Sequence, residues 1–285
     1  MIKKVIIIGT GALATFYSIK LSKKFDVVLL GTWEEGINAI NRGVILEDNK
    51  TLTKGNLKAL KDWSDVIKAD LTIWLTKSYK NLDSLKKYKV LGLKNPILIL
   101  QNGIGQTAIF KKVLGDEITI WEGVTSQAAK LKHPGYVVNT GSGNLSISAN
   151  PLLELILSES NIQFVVVKDI QKQKLNKLAI NAVLNPVTAL FNVSNGNALQ
   201  GEAKEHVLKL IKIVFPFFKT RNIFKSEEAY YDVVEKAARQ SSENINSMLM
   251  DVLSNRPTEI EQILSPIQKE VDSSILTELI EKLKV

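Results

Sequence analysis

The segment Lys4 to Ile8 (KVIII) is a β-branched run that ends directly in Gly9-Thr10-Gly11-Ala12-Leu13-Ala14. A continuous apolar run of this length suits a strand buried on both faces, and Leu13 to Lys23 suits a helix. A G-x-G-x-x-A turn between a buried strand and a helix has a physical use. The chain turns tightly at Gly9, and the bare Gly11 lets backbone approach a pyrophosphate. The small Ala14 lets helix and strand pack closely. The helix N-terminus then favours the phosphate charge. An ordinary strand-turn-helix connection with incidental glycines is the alternative. The position of the motif at the start of a βαβ unit favours a dinucleotide.

The rest of the first half follows the same plan. Asp26 to Leu30 (DVVLL), Leu71 to Leu75 (LTIWL) and Ile97 to Leu100 (ILIL) read as further buried strands, with Ile118 to Trp121 as another. Strands alternating with helices imply an α/β class with a parallel sheet. His133 to Ser148 alternates and carries glycines, which reads as an antiparallel hairpin, and Phe164 to Val167 closes the region. Beyond residue 168 strand signals stop. Lys172 to Phe191, Ala203 to Thr220, Ser226 to Arg239, Pro257 to Val271 and Ser274 to Lys284 all carry helical spacing. The expected organisation is a dinucleotide-binding α/β domain over 1–168 and an all-α domain over 169–285.

Composition narrows the function classes. The chain of 285 residues is 45% hydrophobic and 23% charged, the range of a globular protein with an ordinary core. No apolar run approaches the ~18 residues of a membrane helix. The short N-terminal run ends in glycines, which fits a strand better than a signal peptide. With no cysteine there are no disulfides, no thiol catalysis and no Cys-ligated zinc, and no metal site is expected. A cytoplasmic protein is the expectation. The net charge is +8, but only four of the 37 basic residues are arginine and the lysines are scattered. That pattern argues against nucleic acid and for a solvated surface whose field favours anionic ligands.

Ligands of open α/β sheets bind beyond the carboxyl ends of the strands. There, LTIWL is followed by Thr76-Lys77 and ILIL by Gln101-Asn102-Gly103. Lys77 and Asn102 are thereby candidates to face a cofactor; a surface lysine and an Asn-Gly turn are the bland alternatives. The second strand ends Leu30-Gly31-Thr32-Trp33-Glu34. It shows neither the acid in the usual place for a ribose 2′-hydroxyl nor the arginine that holds a 2′-phosphate. Thr32 can bond either form, and Glu34 disfavours a phosphate if it points inward.

The helical half contains an inverted pattern at Lys177 to Phe191, KLAINAVLNPVTALF. At about 100° per residue, Lys177, Asn181, Asn185 and Thr188 fall near 0°, 40°, 80° and 20°. The other faces are apolar, so the helix is expected to be buried nearly all round, with one polar seam. Pro186 removes an N–H and crowds the Ala182 carbonyl, which favours a kink. Buried polar groups are paired or line a cleft. A purely structural amide network is one reading. A desolvated lysine of lowered pKa, able to act as a general acid, is the other. Downstream lie Asn244, Ser247 and, after Arg256-Pro257-Thr258, Glu259, which also suits a helix start. Asn195-Gly196 suits a turn or helix cap.

Taken together, GTGALA, Leu75 to Lys77, Gln101 to Gly103, KLAINAVLNPVTAL and NINSMLMDVLSNRPTEI resemble the ketopantoate reductase (2-dehydropantoate 2-reductase) family, in order and over nearly the whole chain. The resemblance implies a Rossmann domain, a helical domain and an active site between them. It implies NADPH-dependent reduction of ketopantoate to pantoate, a step of pantothenate biosynthesis, with NADH as the other cofactor to consider. By the same resemblance, Lys177 is the general acid, and Asn102 and Glu259 stand with it in the catalytic set. Asn102, Asn181, Asn185, Asn195, Asn244 and Ser247 bind substrate. Gly9, Thr10, Gly11, Ala12, Leu13, Ala14, Thr32, Lys77, Asn102, Ala129 and Glu259 lie on the cofactor side. Family members commonly carry an Arg just after the second strand, and this chain has Gly31-Thr32-Trp33 there.

Two other readings follow. One is an NAD-dependent D-2-hydroxyacid dehydrogenase acting on another 2-keto acid; the other is a nucleotide-binding sensor without catalysis. The expected partner is a small 2-keto acid, with no nucleic acid and no membrane. Helical domains of the family often pair, which leaves a homodimer open.

Overall fold

A computed structural model of the chain describes residues 3–66, 68–141 and 143–284. Its backbone divides into two compact units. Met1–Gln101 with Gly105–Ile170 form the first, and Asn102–Ile104 with Gln171–Val285 form the second.

The first unit opens with β1 (Lys4–Ile8), α1 (Ala12–Leu21), β2 (Asp26–Leu30) and α2 (Glu34–Arg42). Next come β3 (Val44–Asp48), β4 (Thr51–Gly55), β5 (Lys58–Leu60), β6 (Leu71–Trp74), α3 (Asn81–Val90), β7 (Ile97–Ile99) and α4 (Gln106–Leu114). It closes with β8 (Ile120–Thr125), β9 (Ala128–His133), β10 (Tyr136–Gly141), β11 (Leu145–Ile147), α5 (Pro151–Glu159) and β12 (Phe164–Val166).

An eight-stranded sheet runs in the order β12-β11-β8-β7-β6-β1-β2-β5. The six strands from β8 to β5 are parallel. β11 joins β8 antiparallel and β12 joins β11 parallel, so the sheet is mixed at one edge. Both faces are covered, which explains the apolar runs. Val5, Ile7, Leu29, Ile73 and Leu98 pack into one core together with Tyr17 of α1 and Leu153 of α5. Their neighbours Ile6, Ile8, Val28, Trp74 and Ile99 pack into a second core with Leu85 and Tyr88 of α3 and Phe110 of α4. A strand buried on both faces has no polar side to alternate with.

The segment read as one hairpin divides differently. The antiparallel arms are β9 and β10, turning at Pro134-Gly135 with Gly135 at φ +80°. Leu145–Ile147 leaves the hairpin to pair with β8 in the main sheet. The hairpin extends into a four-stranded sheet, β4-β3-β10-β9. The sequence pattern does not predict β3, β4 or β5. β4 (TLTKG) is exposed or half-buried throughout, so hydrophobicity does not mark it.

The second unit holds α6 (Ile170–Phe191), α7 (Gly201–Lys219), α8 (Glu227–Gln240), α9 (Ser247–Leu253), α10 (Ile260–Gln268) and α11 (Ser274–Leu283). The helix α6 runs through Pro186 and is buried along most of Leu178 to Ala189. Its apolar faces meet Val214, Phe217 and Phe218 of α7, Tyr230 of α8 and Leu264 of α10 in a single core. The Tyr230 hydroxyl donates to the Ala179 carbonyl at 2.7 Å, so even this buried phenol is paired. Asn192, at φ 52°, and not Asn195, is the left-handed residue that follows α6. None of the described helices is long and apolar enough to cross a membrane.

Candidate active site

In the first unit the strand order reverses direction at β1, which lies between β2 and β6. Such a switch point opens a crevice at the carboxyl ends of the strands. Gly9 sits there at φ +130°, and a Cβ on it would come within 3.1 Å of the Leu75 carbonyl at the end of β6. Only a glycine takes that conformation at that spacing without strain. A Cβ on Gly11 would meet nothing within 4 Å. Gly11 is also the N-cap of α1, with no side-chain cap and no acid in the first turn. Open space in front of uncapped helix N–H groups is the arrangement that accepts a pyrophosphate. Thr10 and Ala14 are buried, while Ala12 and Leu13 are half-buried at the start of the helix.

The neighbouring strand ends are tied together by buried amides. Gln101 Nε2 donates to the Thr76 carbonyl at 2.7 Å and to Asn81 Oδ1 at 2.7 Å. Asn81 Nδ2 donates to Gln101 Oε1 and Gln106 Oε1, and Asn81 Oδ1 also accepts from the Trp74 indole N–H. Lys77 follows Thr76, half-buried, and leads into a turn of 3-10 helix at Ser78–Lys80. Thr32 is exposed just past β2. Ala129 lies in β9 opposite Asn139, in the smaller sheet.

In the second unit, α6 presents Lys177, Asn181, Asn185 and Thr188. Asn185 and Thr188 are buried, and Lys177 and Asn181 keep partial contact with solvent. The protein around the Lys177 ammonium desolvates it and lowers its pKa from 10.5 to about 8, while the negative charge of Glu259 pulls in the opposite direction. Glu259 is only 6% exposed. It occupies the N-cap position of α10, but its side chain makes no cap bond. Instead Glu259 Oε2 accepts from Asn102 Nδ2 at 3.1 Å. Thr258 supplies the local helix-start bond, accepting from the Ile260 N–H at 3.3 Å. Lys177, Glu259 and Asn102 therefore form one cluster, although 157 residues separate Asn102 from Glu259.

The polar seam continues into a second network. Asn246 Nδ2 donates to Thr188 Oγ1 at 2.5 Å and to Asn195 Oδ1 at 3.1 Å. Asn195 Nδ2 donates to Ser241 Oγ at 2.9 Å, and the Asn195 N–H donates to the Asn244 carbonyl at 3.0 Å. Asn195 is thus tied to the loop that carries Asn244 and Ser247. The exposed Ser247 opens α9, whose N-cap is Asn246, accepting from the N–H groups of Met248 and Leu249. The sequence pattern does not mark Asn246 as a site residue. The available signal was an Asn directly before the apolar run SMLMDVL, an N-cap pattern. Its long-range bonds to Thr188 and Asn195 carried no local signal.

A glycine turn opening a helix at the sheet's switch point in the first unit and, within the second, a desolvated lysine in the field of a buried carboxylate are each features of one class: a nicotinamide-dependent oxidoreductase. The sequence matches the family described as ketopantoate reductase PanE/ApbA over residues 5–151 and the C-terminal part of the same family over residues 169–270. The chain belongs to the ketopantoate reductase family. The 2-dehydropantoate 2-reductase of Listeria innocua is 29% identical over 279 residues, covering 94% of this chain and 90% of that protein. The solved structure of a probable 2-dehydropantoate 2-reductase from Bacillus subtilis has TM-score 0.79 and 26% identity, covering 98% of each chain. A D-mandelate dehydrogenase solved with NADH and anilino(oxo)acetate has TM-score 0.86 and 24% identity, again covering 98% of each chain; it shares the fold.

Proposed function

We propose that the chain is a 2-dehydropantoate 2-reductase that reduces the C2 carbonyl of ketopantoate, with Lys177 as general acid. The observation that carries this reading is the Lys177 ammonium, lowered to about 8 by burial and set beside Glu259. A lysine of that pKa is mostly protonated at neutral pH and yields its proton far more readily than an ordinary lysine.

Gly9 to Ala14 would hold the pyrophosphate of the nucleotide at the N-terminus of α1, with Lys77, Thr32 and Ala129 on the cofactor side. When bound, the reduced nicotinamide supplies the hydride. As negative charge grows on the substrate carbonyl oxygen, Lys177 stabilises that oxygen and protonates it. Glu259 keeps the lysine charged, and Asn102 holds Glu259. Asn181 and Asn185 orient the substrate from the same helix face. Asn244 and Ser247 hold its far end, with Asn195 bracing their loop, so that the reacting carbon keeps its distance. The positive net charge favours arrival of an anionic keto acid. Pantoate formation would place the chain in pantothenate biosynthesis.

A second reading keeps this chemistry in an NAD-dependent D-2-hydroxyacid dehydrogenase acting on another 2-keto acid. The absence of an Arg at Gly31 to Glu34 favours its use of NAD, because no such side chain is there to hold a 2′-phosphate. The test is oxidation of NADPH and NADH with ketopantoate and with a panel of 2-keto acids. Ketopantoate is expected to give the highest kcat/KM, and a different preferred keto acid would select the second reading. Tight nucleotide binding without turnover of any keto acid would leave only a sensor.

A further inference from the structure

The end of β2 is built against the glycine turn. Gly31 donates its N–H to the Leu60 carbonyl at 3.1 Å and accepts from the Trp63 indole at 3.3 Å. A Cβ on Gly31 would lie 2.6 Å from Thr10 Cγ2, so Gly31 rests on the side chain of Thr10. Thr32 to Gly36 and Lys61 to Asp65 therefore form the rim at which a dinucleotide held by Gly9 to Ala14 puts its adenosine ribose.

That rim is acidic. Thr32 to Gly36 carry Glu34 and Glu35, and Lys61 to Asp65 carry Asp62 and Asp65 against the single cation Lys61. Lys61 is held by one of these acids, with its Nζ 2.6 Å from Glu34 Oε2. The bond to Lys61 keeps the Glu34 carboxyl below its usual range, and the Ser64 N–H and hydroxyl do the same for Asp62. Both are ionised at neutral pH. A 2′-phosphate arriving here would meet a surplus of carboxylates and a lysine whose charge is already matched. A 2′-hydroxyl carries no charge to repel and finds Thr32 exposed beside it.

We infer that the Glu34–Lys61 pair selects the coenzyme, making this chain an NADH enzyme, with Glu34 as the specificity-determining residue that withholds Lys61 from a 2′-phosphate. The inference rests on the dinucleotide reading of Gly9 to Ala14 and departs from the NADPH use that family resemblance implies. Glu34 acts by charge, so its effect is on the phosphate and not on the hydroxyl. Exposed charges are screened by salt, so the discrimination weakens as ionic strength rises.

Equilibrium binding of NADH and of NADPH to the full chain, read by quenching of tryptophan fluorescence, tests this without turnover. The wild type is expected to bind NADH at least about tenfold more tightly than NADPH at low salt. Glu34→Gln releases Lys61, and is expected to tighten NADPH about tenfold while NADH changes less than about twofold. Adding Lys61→Ala to Glu34→Gln should abolish that gain. Both side chains involved are exposed, so the variants keep the fold, which circular dichroism checks. Equal or tighter NADPH binding by the wild type overturns the inference while leaving the reductase reading intact. So does a Glu34→Gln variant that shifts both nucleotides alike. Failure of both nucleotides to bind overturns the inference and the dinucleotide reading with it.

Discussion

Asn102 Nδ2 donates to Glu259 Oε2 at 3.1 Å, and Glu259 in turn supplies the charge that opposes desolvation of Lys177. A loop residue that follows a strand of the sheet thus sets the carboxylate that tunes a helix lysine. The bond predicts coupling between Asn102 and Glu259. In a double-mutant cycle of Asn102→Ala and Glu259→Ala, the loss in kcat/KM is expected to be non-additive by about 0.5–3 kcal/mol. Strictly additive losses would show that the bond does not operate in turnover.

The lysine itself predicts a pH profile. Lys177 donates a proton only while charged, and its pKa is about 8. The rate of keto acid reduction should be level below that value and fall about tenfold per pH unit above it. Lys177→Ala should lose at least about a hundredfold in rate at neutral pH. A profile flat to pH 10, or a loss under about tenfold in a folded Lys177→Ala protein, removes the general-acid assignment.

Glu259→Gln moves that limb in a known direction. The Glu259 charge raises the Lys177 pKa, so its removal lets desolvation act alone. The midpoint of the alkaline limb is expected below about 8, with the protonated fraction at pH 7 reduced accordingly. An upward shift would contradict the sign of the interaction.

Asn246 separates positioning from capping. Serine remains a good N-cap for α9 but is too short to reach Thr188 and Asn195. Asn246→Ser is expected to raise KM for the keto acid about tenfold, change kcat less than about threefold, and leave nucleotide binding unchanged. Asn246→Ala should add about 1 kcal/mol of lost stability from the missing cap. If KM stays at its wild-type value in both variants, the network only supports the fold.

The two glycines of the N-terminal turn should behave differently. Gly9→Ala forces a side chain into φ +130° and against the Leu75 carbonyl, which is expected to cost roughly 1–3 kcal/mol of stability. Gly11→Ala meets no atom and should cost less than about 1 kcal/mol. Its effect should fall on nucleotide binding, weakened at least about tenfold, because the methyl group enters the space in front of α1. Calorimetry and fluorescence titration on the same two proteins give both numbers.

Much of this is legible in the amino-acid sequence. The run KVIII with GTGALA specifies a buried strand, a tight turn and a helix, because strand burial and glycine sterics act over a few residues. The seam Lys177-Asn181-Asn185-Thr188 is equally local, since helical periodicity alone puts these residues on one face. β4 escaped because an exposed edge strand of mixed polarity has no period to read. The hairpin arms shifted for a related reason: glycines between His133 and Asn144 mark turns but not which flanking runs pair.

What the amino-acid sequence determined by itself is the βαβ opening, the change from strands to helices after residue 168, and the inverted helix. Each follows from short-range geometry and the pattern of burial. What only the tertiary structure decided is the company each polar residue keeps. Glu259 could have been an ordinary helix cap, but folding placed it against Asn102 and within the field of Lys177. Asn246 could have been only a cap, and folding gave its amide to Thr188 and Asn195. The sequence marks Glu34 as an acid able to disfavour a phosphate, and only the fold, through β5, places Lys61 beside it. Hydrogen bonds and charges act through space at a few ångströms, and a sequence records only separation along the chain.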